Sequence, residues 1–202
     1  MAVKRAAHRP SRKRAVVQAA MRLHAAGPLA SVMVADIAAE AKMTAAAVYY
    51  HYATKEDIIV DGLTAFAAAI SEEVSSFLRG ENGSPADLPV HLLDWLEQDR
   101  DAAAVWFAYS NGLSTEVEAL RRATNEFLIA ELVRSVKAHH PEFSLPHASV
   151  VAAALISAIE ISARAWLVSE DTLVQGREDE FRGALAALGA KILASPSPMR
   201  RV

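Results

Sequence analysis

The chain predicts an all-α fold, and three observations carry that prediction. Apolar residues recur at steps of three and four through most of its length, the period of a helix with one buried face. Helix start and stop signals punctuate the chain at helical lengths, among them Thr54-x-x-Asp57, Gly27-Pro28, Gly80 and Gly112. No segment combines period-two alternation with hairpin turn chemistry. About nine helices account for the 202 residues, enough for a three-helix head and a larger helical body.

The first helix begins after Ser11, its expected N-cap, and ends at Gly27-Pro28. Val16, Ala20 and Leu23 form its apolar stripe. Its first turn holds Arg12, Lys13 and Arg14, three cations at the positive end of the helix dipole. Each should cost a few tenths of a kcal/mol there, and phosphate neutralisation is the gain that offsets it. Lys4, Arg5 and Arg9 precede the helix as a flexible basic arm over 1–10, able to reach a minor groove.

Residues 34–54, VADIAAEAKMTAAAVYYHYAT, read as two short helices joined by a tight turn. Val34, Ile37, Ala38 and Ala41 share one face. Thr44 caps the second helix, which turns Val48 inward and presents Tyr49, Tyr50 and His51 near its end. This is a helix-turn-helix, whose second helix can enter a DNA major groove. Charge agrees. Residues 1–60 carry about +5, although the whole chain carries −3. A basic head on an acidic body is the electrostatic footprint of a nucleic-acid reader.

VYYHYATKEDI, residues 48–58, resembles the LYYHFPSKEDL signature of TetR-family transcriptional regulators. The resemblance covers about the first 80 residues as motif and the remainder only in length and helix pattern. It implies a head over 11–71, a ligand-binding and dimerisation body over 72–195 and a disordered tail over 196–202. It also implies phosphate contacts from Tyr49, His51 and Lys55, with Thr44 contributing its hydroxyl or backbone N–H. Arg9, Arg12, Lys13, Ala45, Ala46 and Tyr50 complete the expected DNA-facing set. Tyr52 is expected to pack inside the head, and Tyr50 could do either.

Several positions depart from the family pattern. The usual capping threonine before the second helix is Val32, so Ser31 is the expected cap, and Ala35 replaces a common arginine. The usual glycine of the turn is Lys42, which must either adopt positive φ or belong to a turn built differently. Ala45, Ala46 and Ala47 stand where many relatives carry base-reading polar groups. Alanine can touch a thymine methyl but cannot make bidentate hydrogen bonds to G or A.

The fourth helix opens on the Thr54–Asp57 capping box and runs to Gly80, about 37 Å at 1.5 Å per residue. In the family this helix acts as a lever between ligand and DNA. A linker at 81–85 follows, then helices over about 85–98, with Ser84 and Asp87 as capping box, 101–111, 115–140, 146–169 and 176–194. The eighth is apolar almost all round except for Glu160 and Arg164, an expected i,i+4 pair. One chain of this size is expected to be too small to bury it fully, so a second copy is expected to cover Val151, Leu155, Ile159 and Trp166. Phe181, Leu185, Leu188 and Ile192 of the ninth helix would join them in a four-helix bundle across a two-fold axis, the family's own mode of dimerisation.

The family resemblance implies a largely apolar effector cavity in the body. Trp95, Trp106, Phe107, Tyr109 and Phe127 are candidate lining, with Asn111, Glu160 and Arg164 as polar anchors. The histidines show no metal-ligand spacing, and no cofactor is implied. The chain has no cysteine, which suits a reducing cytoplasm. No uncharged apolar run reaches the length of a membrane span, and neither a signal peptide nor a catalytic motif is evident. The expected function is a homodimeric, ligand-responsive repressor acting on a double-stranded DNA operator. A related module with weak, unspecific DNA contact is the alternative, and an all-α enzyme the minor one.

Overall fold

A computed structural model describes residues 12–26, 31–81, 83–168 and 174–194. The expected arm, Arg9, the Ser11 cap, the Gly27-Pro28 stop and the tail lie outside the described residues. Within them the chain forms nine α-helices and no strand. α1 (Arg12–Ala25), α2 (Val34–Glu40) and α3 (Ala45–His51) make the head. α4 (Lys55–Arg79) runs from head to body. α5 (Leu88–Leu96), α6 (Arg100–Ala104), α7 (Thr115–His139), α8 (Leu145–Val168) and α9 (Glu178–Leu193) build the body.

Two apolar cores meet on α4. The head core gathers Val16, Ala20, Ile37, Val48 and Tyr52 around Ile58 in the first turn of α4. From Ile59 onward α4 turns its stripe into the body core, with Leu63, Phe66, Ile70 and Val74 buried. Adjacent residues of one rigid helix thus serve both cores. The Thr54 capping box forms as expected: Thr54 Oγ1 accepts from the Asp57 N–H at 3.1 Å, and Asp57 Oδ2 accepts from the Thr54 N–H at 2.8 Å.

Other termini differ from expectation. Met33, not Ser31, is the N-cap of α2, and its backbone N–H donates to Asp36 Oδ2 at 2.8 Å. Ser84 and Asp87 do not form a capping box. Ser84 Oγ accepts from the Ala86 N–H, and α5 starts only at Leu88. α7, which begins at Thr115, is capped by Ser114, whose Oγ accepts from the Val117 N–H at 3.2 Å. The expected helix over 101–111 is α6 continued by a π-helical turn, Val105–Tyr109, before Gly112 closes it at φ 73°.

The reading of α8 as too large for one chain to bury needs correction. Val151, Leu155, Ile159 and Trp166 are buried within the single chain, facing α5, α6 and α7. The Trp166 indole N–H donates to Glu97. The outward face of α8 carries Val150, Ile161 and small residues instead. α8 is long and apolar enough to cross a membrane by length and composition, yet its inner face is body core.

Candidate nucleic-acid interface and effector cavity

The turn of the helix-turn-helix is closed by Lys42 at φ 55°, the one non-glycine residue with positive φ among those described. The Lys42 N–H donates to the Ala39 carbonyl and the Met43 N–H to the Ala38 carbonyl, at 3.0 and 2.8 Å. These are the two bonds of a Schellman motif, with lysine where glycine is cheapest. Thr44 then caps α3, its Oγ1 accepting from the Ala47 N–H at 3.2 Å.

Val48 anchors α3 to the head core and so fixes which face looks outward. That face holds Ala45, Ala46, Tyr49 and Tyr50, all exposed. Tyr50 is 86 % exposed and meets only His51, edge-on at 5.2 Å, so packing is not its role. Arg12, Lys13 and Arg14 are exposed at the start of α1. Tyr52 is buried, as expected, and its hydroxyl donates to Asp61. Its phenol pKa is raised by burial and by this bond, and Asp61 is held below its ordinary value first by Tyr52 and further by Lys13.

Lys55, the expected phosphate contact, stands in the first turn of α4. It is half-buried and its Nζ donates to the Val32 carbonyl at 2.9 Å, binding α4 to the segment before α2. Beside it His24 is fully buried on α1, with no hydrogen-bond partner for either ring nitrogen. Burial first, then Lys55, lowers its pKa to about 4.

In the body, a cavity of only about 30 Å³ lies between α4, α7, α8 and the π turn. Of the expected lining, Trp106, Phe107 and Glu160 reach it. Trp95 stands instead at a groove between head and body. Asn111 and Phe127 are exposed, Tyr109 is half-buried away from the cavity, and Arg164 does not pair with Glu160: its Nε donates to the Phe107 carbonyl at 3.2 Å. The sequence reading missed Arg121, Thr124, Asn125 and Leu128, one face of α7 at helical spacing. Arg121 Nη1 donates to the Trp106 carbonyl at 2.5 Å and to Ser110 Oγ at 2.8 Å. Two arginines therefore hold backbone carbonyls of the π turn. Among the described residues no cluster of side chains could hold a metal ion.

On α9, Leu185 and Leu193 are buried, Phe181 packs on Trp166 at 5.6 Å, Ile192 is half-buried and Leu188 is 43 % exposed. A Cβ at Gly189 would collide with the Ala86 carbonyl, so that face of α9 lies tight on the body. Val151, Leu155, Ile159, Trp166 and Leu185 are thus occupied inside one chain, and only Leu188 among the expected interface residues is fully outward.

Residues 16–61 match the family described as bacterial regulatory proteins, tetR family. No curated protein matches the chain. Solved structures are similar in fold. FadR from Bacillus subtilis, in complex with stearoyl-CoA, has a TM-score of 0.68 at 14 % identity, over 90 % of this chain and 97 % of that one. AibR, in complex with isovaleryl coenzyme A and operator DNA, has 0.68 at 16 %, over 88 % and 97 %. A TetR-like transcriptional regulator from Rhodococcus sp. RHA1 has 0.71 at 16 %, over 95 % and 100 %. The chain thus carries a TetR-type amino-terminal helix-turn-helix over residues 16–61, set on a helical body that shares the fold of those regulators.

Proposed function

We propose that the protein is a homodimeric, effector-responsive transcriptional repressor that works at the nucleoid in the cytoplasm. The observation that carries this reading is α3: Val48 pins it, and Ala45, Ala46, Tyr49 and Tyr50 form an outward face that nothing among the described residues covers. Tyr49, Tyr50, His51 and the cations of α1 would contact phosphates, which orient the head without reading sequence. The exposed alanine methyls would touch thymines.

The π turn and the face of α7 opposite it would form the effector site, opened from the small cavity present in this state. Arg121 and Asn125 would supply polar contacts, and Ile70, Leu92 and Ile156 apolar ones. The acyl-CoA complexes of FadR and AibR support a small-molecule effector for this fold. Phe66 touches both Trp106 and Phe107 and belongs to α4, so a change in the π turn would reach the head.

A second reading is favoured by the alanines of α3. Without hydrogen-bonding groups there, the protein would bind DNA weakly and act through its body. One measurement separates the two. Binding to the DNA upstream of its own gene is compared with random duplex at fixed salt. A preference of a hundredfold or more supports the repressor; equal binding supports the module.

A further inference from the structure

Phe66 lines one space in the molecule and packs against two residues, Trp106 and Phe107, that line another. The small body cavity lies on its Trp106 side, at 5.6 Å between rings. On its Trp95 side, at 5.8 Å, a groove of about 730 Å³ runs between α1, the middle of α4 and the start of α6. That volume is in the range of small-molecule sites, and it is present without any rearrangement.

The charges around the groove are unevenly paired. Its floor is apolar and aromatic, with Met21, Ala65, Phe66, Ala69 and Trp95. Its head wall carries Lys13 and Arg22, and each already holds an anion, Asp61 at 3.1 Å and Glu40 at 2.8 Å. Arg14 on the same wall is itself engaged. Its body wall carries Asp99 and Asp101, and neither forms an ion pair among the described residues. Asp99 accepts only from the Ala102 N–H, at 3.4 Å. An anion entering here would have to displace an existing pair. A cation meets two carboxylates that form no ion pair among the described residues, beside the partly exposed Trp95 ring.

We propose that this groove is a binding site for a lipophilic organic cation, one charge on a bulky apolar body. The cation lies against Asp101 and Asp99, and its apolar part covers Trp95 and the exposed Ala65 and Ala69 of α4. The site is separate from the effector cavity of the π turn. Because α1 forms one wall, occupancy acts on the cationic first turn of α1 directly, and through Phe66 on the π turn. The binding claim is independent of the repressor reading; only the effect on DNA rests on it.

Tetraphenylphosphonium and tetraphenylborate test it, since they share a shape and differ in charge. Calorimetry on the full chain should show saturable binding of the phosphonium and none of the borate at the same concentration. Asp101→Asn should weaken the phosphonium by about tenfold, as expected for one lost charge partner at a partly exposed site. Ala65→Phe should fill the groove and abolish binding. Asp179→Asn, a remote acidic control on α9, should change nothing. Unchanged thermal unfolding midpoints establish that the variants are folded. Equal binding of the borate, equal loss in Asp101→Asn and Asp179→Asn, or full affinity in Ala65→Phe would each overturn the site. If the phosphonium binds as described while operator affinity is unaltered, the site stands and its link to repression fails.

Discussion

Tyr52 Oη donates to Asp61 Oδ2 at 2.5 Å, and the same carboxylate oxygen receives Lys13 Nζ at 3.1 Å. Lys13 also stands over the Tyr52 ring, 5.1 Å from its centroid. One carboxylate of α4 therefore joins the end of the recognition helix to the cationic turn of α1. Any rotation of α4 must carry both or break this joint. Tyr52→Phe should cost about 1 kcal/mol in urea unfolding, because Lys13 still satisfies Asp61. Asp61→Ala should cost more and release Lys13. DNA affinity should then fall by the same factor for operator and random duplex, as for a group that positions rather than reads. A loss confined to the operator would contradict that role.

The same joint has a pH signature. Asp61 has a folded pKa below the ordinary 3.8, so its contribution is present above pH 3.8 and is lost as pH falls through the folded value. His24 acts earlier. Its pKa falls from 6.5 to about 4 on folding, so the folded head holds it neutral. Its contribution is complete above pH 6.5 and is lost as pH falls towards 4, at up to about 1.4 kcal/mol per pH unit. Urea midpoints should drop between pH 6.5 and 4.5 in the wild type and drop less in His24→Leu. Parallel curves for the two proteins would show that His24 is not the titrating group.

What was legible in the sequence was what local chemistry determines. Thr44 and the Thr54–Asp57 box are caps by residue type and spacing, and they cap. Gly112 and Gly176 end or precede helices at positive φ, as glycines do. What was not legible depends on partners far along the chain. Lys55 binds a carbonyl 23 residues away. Arg121 reads as one more charge on α7, and only the π turn shows what it holds. The apolar pattern of α8 established that it is buried on more than one side. A helix apolar all round has no periodicity to say which side faces its own chain, so Val151 and Ile161 could not be told apart.

Lys42 offers a test of strain at the helix-turn-helix. The sequence left two turns open, and φ 55° decides between them. A left-handed conformation costs an L residue about 1–2 kcal/mol, and glycine avoids most of it. Part of that gain is offset by the greater freedom glycine has when unfolded. Lys42→Gly should therefore stabilise the protein by about 0.5–1 kcal/mol, and Lys42→Val should destabilise it by more than that. Urea unfolding of both variants measures this. A destabilised glycine variant would mean that the Lys42 side chain contributes more than its backbone costs.

The assembly prediction follows from which apolar residues the chain leaves uncovered. Val150 and Ile161 on α8 are 69 % and 72 % exposed, and Leu188 on α9 lies outward beside Ala184 and Ala187. Small residues between larger apolar ones let two helix pairs approach closely. A second copy placed there would form a four-helix bundle burying well over about 1,000 Å². The two recognition helices would then face successive major grooves, about 34–36 Å apart on a two-fold operator. Leu188→Asp should dissociate the dimer and leave the fold intact, because the new carboxylate is solvated in the monomer. Leu185→Asp should instead unfold the chain, since Leu185 is buried against its own body and an unpaired buried carboxylate costs several kcal/mol. Sedimentation and circular dichroism on the two variants separate these outcomes. If Leu188→Asp still sediments as the wild-type species, the outward faces of α8 and α9 are not the interface. The paired-operator geometry built on them then fails as well.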